Sequence, residues 1–373
     1  MTEIKQGFPS PQKNQYLVYV RSNTYNQAPF IEKCLRGVAM QQTDFPYIHH
    51  IIDDASTDGQ QEIIKDFLNK ECDMTNAEFF NNDISTITLA KVKSNSNCTL
   101  CVYFLKKNMY KNPEKRKLYN LWKDVIKYEA FCEGDDYWTD SQKLSMQVNF
   151  LESHPDFALS HTKYLILRQE TGKVEQDDDL ERIRLQLGDN LSCEDIIRYA
   201  RIILTMSVVL RTDAVRDLPK QDPFIFNSNN FLLSDIPTWY TAAMHGKVHY
   251  HDKVTGVYRV TSGSASHIEG NKNKYLFSVS AMGLRYYLCR RDHLNAILTN
   301  NVEIKYANFL FRHWSLNPSY KAVVELDANR YKFMFMCKKL GLLKPYFSIK
   351  DTIVKISHIP SHIQRSLRKS GVS

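Results

Sequence analysis

The sequence has no apolar run of membrane-spanning length. Its longest, around RIILTMSVVL at 201–210, falls far short of the roughly 20 residues a spanning helix needs. The opening stretch, MTEIKQGFPSPQKNQ, lacks the basic-then-apolar order of a secretory signal. Both absences predict a cytoplasmic protein, peripheral at most to the inner face of the cytoplasmic membrane. The asparagine of NCT at 97–99 is therefore not expected to carry a glycan. A metal-binding cysteine framework is missing too. Of eight cysteines only Cys98 and Cys101 form a CxxC, with no second pair and no histidine at zinc spacing. Reduced, mostly buried thiols are expected. No internal repeat is visible.

Charge of one sign is scarce outside one region. The net charge is +8. Residues 338–373 hold eight Lys or Arg against Asp351 alone, a net +7. The remainder is close to neutral. That argues against a nucleic-acid-binding body and for a basic tail.

What is present is an ordinary globular composition, 43% hydrophobic and 24% charged over 373 residues. This length allows one large or two moderate domains with a real core. YLVYVR at 16–21 reads as a buried strand, and Pro29 opens a helix with Phe30, Ile31, Cys34, Leu35 and Val38 at helical spacing. YIHHIIDD reads as a second strand, followed by a turn and a helix striped by Ile63, Ile64, Phe67 and Leu68. A third strand is expected at 100–105, a helix at 115–127 and a fourth strand at YEAFCE, 128–133. The intervening 71–98 is polar and reads as an insertion or surface excursion. Residues 168–190 are charged and read as a mobile loop. From 271 the pattern is helical and aromatic. The paired histidines 49 and 50 and the trio 245, 249 and 251 read as structural, on a strand edge or helix end.

Strand–helix alternation predicts an α/β fold with a parallel, doubly wound sheet. In such sheets ligands sit outside the carboxyl ends of the strands. Three polar clusters fall there: Ser22 to Asn26, Asp53 to Asp58, and Glu133 to Asp136. The last, within FCEGDDYWTD, gathers three carboxylates in four residues. Like charges this close need a metal ion, a basic side chain or water.

VRSNTYN at 20–26, IIDDASTDG at 51–59, CEGDDYWTDSQKLSMQVNFLESHPD at 132–156, LLSDIPTW at 232–239 and YRVTSGSASH at 258–267 together resemble glycosyltransferase family 2. The resemblance covers about residues 14–267. It implies a GT-A fold: a Rossmann-like, mostly parallel sheet with flanking helices, plus here a helical C-terminal region. The implied catalytic domain is 1–265, with a nucleotide-sugar half at about 14–140 and an acceptor half at about 141–265. Residues 266–373 would be a helical extension with the basic tail.

The implied activity is inverting transfer of a sugar from a nucleotide-sugar, chiefly a UDP-sugar, to a hydroxyl of a glycan or lipid-linked glycan in bacterial surface-polysaccharide synthesis. The implied cofactor is Mn²⁺ or Mg²⁺, which prefers carboxylate oxygens. By resemblance Asp135 is the direct metal ligand, with Glu133 at the first acidic position, where the family usually has Asp. His267 is a metal or diphosphate contact, although Thr261 stands where many relatives carry His. Thr24, Tyr25, Asn26, Asp53, Asp54 and Arg259 fall on the nucleotide-sugar side, Asp53 toward the base and Arg259 toward the diphosphate. Asp235 matches the family's catalytic base. Ser56 and Asp58 are expected to shape the turn, and Trp239 to serve either as a sugar platform or as core. An inactive nucleotide-sugar-binding scaffold of the same fold is the alternative. For the tail, contact with anionic lipid and a plain helical packing element both stand open.

Overall fold

The computed structural model describes residues 3–110, 112, 114–188, 190–199, 201–226, 229–261 and 270–357. The chain divides into two compact units, Met1–Asn229 with Leu233–Thr261, and Asn230–Leu232 with Ser262–Ser373.

The first unit is built on one twelve-stranded sheet. Its strands are β1 (Ile4–Gln6), β2 (Val18–Thr24), β3 (Tyr47–Asp53), β4 (Glu78–Asn81), β5 (Ser85–Val92), β6 (Asn95–Leu105), β7 (Tyr128–Phe131), β8 (Tyr137–Trp138), β9 (Phe157–Arg168), β10 (Lys173–Glu175), β11 (Val209–Arg211) and β12 (Lys247–Val260). They lie in the order β1-β4-β5-β6-β3-β2-β7-β11-β9-β12-β8, with β10 on β9. The centre, β6-β3-β2-β7, is wholly parallel. Mixed arms extend it on both sides: β5 pairs antiparallel with β6 and β4, and β11 with β7 and β9, while β1–β4 and β9–β12 are parallel. The α/β expectation holds at the centre, and the strands there are buried on both faces, as parallel strands require.

Helices cover the two faces: α1 (Ile31–Ala39), α2 (Gln60–Glu71), α3 (Lys115–Lys123), α4 (Lys143–Ser153), α5 (Asp178–Leu187), α6 (Cys193–Arg198), α7 (Leu218–Gln221), α8 (Pro223–Phe226) and α9 (Asp235–His245). Side chains of β2 alternate between the faces. Val18 and Val20 join α1, α2 and α4 in one core, through Leu35, Phe67 and Leu144. Tyr19 joins Leu118 and Trp122 of α3 in the other. Lys143, from the K…Q part of the long motif, is buried within this framework. Its ammonium donates to Gln147 Oε1 at 2.5 Å and lies 4.5 Å over the Trp138 ring. The Gln147 amide in turn donates to the Ser160 and Ser207 carbonyls. This pair fastens α4 to β9 and to the segment before β11.

Three expectations need correction. Residues 71–98 are not a surface excursion: they supply β4, β5 and the start of β6. Thr, Ser and Lys on β5 obscured a strand whose Ile87, Ala90 and Val92 are buried, turning back at 93–94. Residues 168–190 are not a structureless loop. They form the β9–β10 hairpin and α5, whose N-cap Asp177 accepts from the Leu180 N–H; burial of Leu180 and Arg184 outweighs the local charge. His49 and His50 lie on no edge. They stand on β3, between β2 and β6, fully buried.

The second unit is helical, as the pattern from 271 predicts: α10 (Asn271–Arg291), α11 (Ala296–Leu316), α12 (Lys332–Lys339) and α13 (Leu343–Ser357). Asn295 caps α11 by accepting from the Ile297 and Leu298 N–H groups. Tyr286 and Tyr306 stack between α10 and α11 with ring centroids 5.8 Å apart. Arg312 holds Asp351 of α13 through both carboxylate oxygens. Among the described residues no helix is long and apolar enough to cross a membrane.

The buried histidines make stability depend on pH. Burial lowers His49 to about 3 and His251 to about 4, and holds His50 and His161 well below the ordinary value. In the unfolded chain these rings take up protons below about pH 6.5. The unfolded state then binds more protons than the folded one, so stability falls as pH drops from about 6.5 toward these lowered values. His49 alone contributes about 1.4 kcal/mol per pH unit in that range. Urea midpoints should decline from pH 7 to pH 6; a midpoint constant over that interval contradicts neutral, buried rings.

Candidate active site

The carboxyl ends of β2, β3 and β7 lie side by side. Thr24 pairs with Asp53 across β2–β3, and Arg21 with Phe131 across β2–β7. Past Phe131 the acid-rich loop still follows β2: Cys132 N–H donates to the Arg21 carbonyl and Gly134 N–H to the Asn23 carbonyl. The approach is too close for any side chain at 134. A Cβ there would stand 2.4 Å from Thr24 Oγ1 and 2.5 Å from Gln27 Oε1. Glycine is needed for space here, and its neighbours Glu133 and Asp135 are thereby set at the tip of β2.

The three acids sit differently. Glu133 Oε2 accepts the Asn23 N–H at 3.1 Å. Burial pushes its carboxyl up to about 6, against the pull of Arg21. Asp135 is also raised by burial. Asp136 is buried, accepts the Arg259 N–H at 2.8 Å, and is held well above the usual carboxylate range by burial and then by Asp135. Among the described residues no ion pair neutralises Glu133 or Asp135. Desolvated carboxylates raised in this way gain from an arriving cation, and their hard oxygens suit Mg²⁺ or Mn²⁺. Asp135 and Glu133 thus fit a divalent ion as two protein donors, although no cluster of three His, Cys, Asp or Glu occurs among the described residues. His267 lies outside the described residues.

The remaining sequence-singled residues surround this loop. Thr24 Oγ1 lies 2.8 Å from both Gln27 Oε1 and Gln60 Oε1. Tyr25 is exposed. Asn26 takes the left-handed conformation, φ 52°, and its Oδ1 accepts the Thr57 N–H. Ser56 Oγ and Asp58 accept the N–H groups of Asn26 and Ala28, so both shape the turn. Asp53 is buried and receives the amides of Gln60 and Gln61. Asp54 accepts the Met109 N–H and pairs with Lys115 at 2.7 Å. Arg259 Nε donates to the Asp135 carbonyl at 2.8 Å, its guanidinium also bonds Gln169, and it lies 4.5 Å over the Phe30 ring.

Asp235 is the first residue of α9, and its Oδ1 accepts the Ile236 N–H. Ser234 precedes it without a side-chain cap bond. Trp239, one turn on, is buried edge-to-face against Phe131 with centroids 5.3 Å apart. It is a core residue, and it ties α9 to the end of β7. Sequence reasoning missed Gln27, Gln60, Gln61 and Lys115. Gln60 and Gln61 directly follow the quoted DDASTDG, and that adjacency was the available signal.

Comparison with known proteins bears on this arrangement. Residues 23–82 match the family model described as Glycosyl transferase family 2. That match spans 60 of the 373 residues, and the fold is of the GT-A type. Two relatives, "Uncharacterized protein Rv1520" of Mycobacterium tuberculosis and "Uncharacterized protein Mb1547" of Mycobacterium bovis, are each 30% identical over 195 residues, 51% of this chain and 45% of theirs. The chain thus matches less than half the length of these relatives. In fold it is similar to S. aureus TarS 1-349 in complex with UDP-GlcNAc, at TM-score 0.52 and 16% identity over 91% of this chain and 92% of that one. A mannosyltransferase of Pyrobaculum calidifontis in complex with GDP-Man and Mn2+ matches at TM-score 0.49 and 15% identity, over 92% and 86%.

The glycine contact yields a direct test. Gly134→Ala must displace Thr24 or Gln27, and overpacking of this kind costs about 1–3 kcal/mol. The expected result is a lower urea midpoint together with weaker binding of nucleoside diphosphate by calorimetry. Unchanged values for both would show that the loop does not need this approach.

Proposed function

We propose that this chain is an inverting, divalent-metal-dependent glycosyltransferase, moving a sugar from a nucleotide-sugar to a hydroxyl of a glycan or lipid-linked glycan. The observation that carries the proposal is the convergence at one sheet edge. The tips of β2, β3 and β7 bring Asp53, Glu133 and Asp135 together, and the Phe131–Trp239 contact brings the start of α9 beside them. Acids with no ion pair among the described residues suit the diphosphate end of a donor, and a carboxylate at the start of a helix suits the acceptor end.

The roles follow from the placement. Asp135, with Glu133, would hold the metal, which would supply neutralisation of the charge that develops on the leaving diphosphate. Thr24, Tyr25, Asn26, Asp53 and Asp54 form the nucleoside side. Arg259 braces the acid loop through the Asp135 carbonyl and the Asp136 carboxylate. Asp235 takes the proton of the acceptor hydroxyl as its oxygen attacks the anomeric carbon and the bond to the diphosphate breaks. A single displacement of this kind needs no covalent enzyme intermediate. UDP is the favoured nucleotide, supported by the TarS fold likeness to a structure holding UDP-GlcNAc. The process we assign is bacterial surface-polysaccharide assembly in the cytoplasm.

Release of nucleoside diphosphate from a panel of UDP-, GDP- and dTDP-sugars tests this reading. Release should require Mn²⁺ or Mg²⁺, stop with chelator and vanish in Asp135→Asn. Asp235→Asn should lose about 100-fold or more in transfer while still binding donor in calorimetry. If no nucleotide-sugar binds with either metal, the transferase reading fails, and the nucleotide-sugar-binding scaffold fails with it.

The second unit supports the peripheral-membrane reading of the C-terminal region. Phe333, Met336 and Leu340, at helical spacing on and just past α12, are each more than half exposed. Lys338 and Lys339 close the same helix. Apolar side chains beside lysines suit an anionic lipid surface. The triple change Phe333→Ser, Met336→Ser, Leu340→Ser should abolish co-sedimentation with vesicles of anionic lipid and leave the circular dichroism unchanged. Equal sedimentation of parent and variant would refute the contact.

A further inference from the structure

The face of β2 that looks toward α3 carries a group that the donor side leaves unused. Arg21 points into it. The guanidinium lies between two rings, 4.8 Å from Tyr119 and 4.7 Å from Phe131. Its Nε is buried without a hydrogen-bond partner. Across the β2–β7 pair stands Glu129, buried, whose Oε1 is likewise unbonded and is 3.8 Å from Lys123 Nζ. Arg21, Glu129, Lys117, Lys123, Ser234 and Thr238 all line one cleft of about 440 Å³. The cleft therefore reaches from the guanidinium to Ser234, just before Asp235, and to Thr238, one turn along α9.

Burying hydrogen-bonding groups without partners is costly, by about 1–3 kcal/mol for neutral groups and more for charged ones. Here two such groups of opposite kind share one space. A guanidinium and ammonium groups call for an anion with several acceptor oxygens. An unbonded carboxylate oxygen calls for a hydroxyl donor. Three cationic side chains against one acidic one leave the lining at +2, which matches a phosphate better than a carboxylate. A sugar or polyol carrying a phosphate satisfies both demands at once.

We propose that this cleft is the acceptor subsite and that it selects a phosphate-bearing sugar or polyol, with phosphate on Arg21 and Lys123 and a neighbouring hydroxyl on Glu129. The assignment rests on the transferase reading above, since it is the first turn of α9 that makes this an acceptor cleft. It goes further in naming the acceptor's chemistry and its selecting residues.

The test uses the full-length protein saturated with UDP and Mg²⁺, so that the diphosphate site is filled. Glucose 6-phosphate, glucose and inorganic phosphate are titrated separately by calorimetry, in the parent, in Arg21→Gln and in Lys123→Gln. The expected result is binding of glucose 6-phosphate at least tenfold tighter than of glucose or phosphate. That binding should weaken about tenfold or more in either variant, as loss of a charge-assisted hydrogen bond implies, while UDP still binds. Lys123→Gln, on a partly exposed helix position, keeps the test decisive should Arg21→Gln not fold. Equal binding of glucose 6-phosphate and inorganic phosphate would reduce the cleft to a simple anion site and overturn the assignment. So would binding of glucose 6-phosphate that both variants leave unchanged. UDP binding without any binding of glucose 6-phosphate would overturn it while leaving the transferase reading intact. Failure of UDP itself to bind would remove the transferase reading and this inference with it.

Discussion

The close passage of the acid loop along the end of β2 is the constraint on which the site depends. Three carboxylates in four residues would ordinarily spread into solvent to lower their repulsion. Here backbone geometry holds them in. Gly134 lies against Thr24 and Gln27, the Asn23 N–H fixes Glu133, and the Arg259 N–H fixes Asp136. Burial holds all three carboxyls above their ordinary range, so a positive charge arriving there would favour their ionised forms.

The same confinement explains why so many amides gather nearby. Asp53 could form an ion pair at the end of β3, but it receives the neutral amides of Gln60 and Gln61. The cation that is present, Lys115, goes to Asp54 instead. A lysine on Asp53 would place a fixed positive charge at the strand tip where the donor's nucleoside is proposed to sit. Amides keep the carboxylate ordered without cancelling it. Arg259 behaves similarly. Its Nε meets a backbone carbonyl of the loop, so the loop is braced while the Asp135 carboxylate keeps its charge for a ligand.

How much of this was legible in the sequence follows from the kind of signal involved. The parallel centre was legible, because buried parallel strands such as YIHHIIDD are nearly continuous apolar runs and their helices repeat at 3.6. The strand-end clusters were legible for the same reason, since the ends of such strands are where polarity returns. The β4–β5 hairpin was not. An antiparallel strand needs only one buried face, and on β5 Thr and Lys stand among Ile87, Ala90 and Val92, which reads as polar sequence. α5 was hidden by its charge, although Asp177 and the spacing of Leu180 and Arg184 hold it. The K…Q part of the long motif was quoted as a mark of the family, and in space it is a fastening of α4, through Lys143 and Gln147. Arg21 was invisible as a site residue. It sits inside an apolar-looking strand, and which face it takes is known only once the register with β7 is fixed.

That last point bears on how the two sides of the site are joined. Because a strand alternates its side chains, β2 sends Ser22 and Thr24 to one face and Arg21 and Asn23 to the other. The donor-side loop and the α3-side cleft are therefore consecutive residues of one rigid strand. Asn23 belongs to both: its backbone N–H bonds Glu133, and its side-chain oxygen accepts from Tyr119, the ring that covers Arg21. Glu133, Asn23, Tyr119 and Arg21 thus form one chain of contacts. The strand that carries Arg21 and Asn23 is held on both sides by parallel neighbours, so the acid loop and the cleft beside α9 are joined by a path only two side chains long.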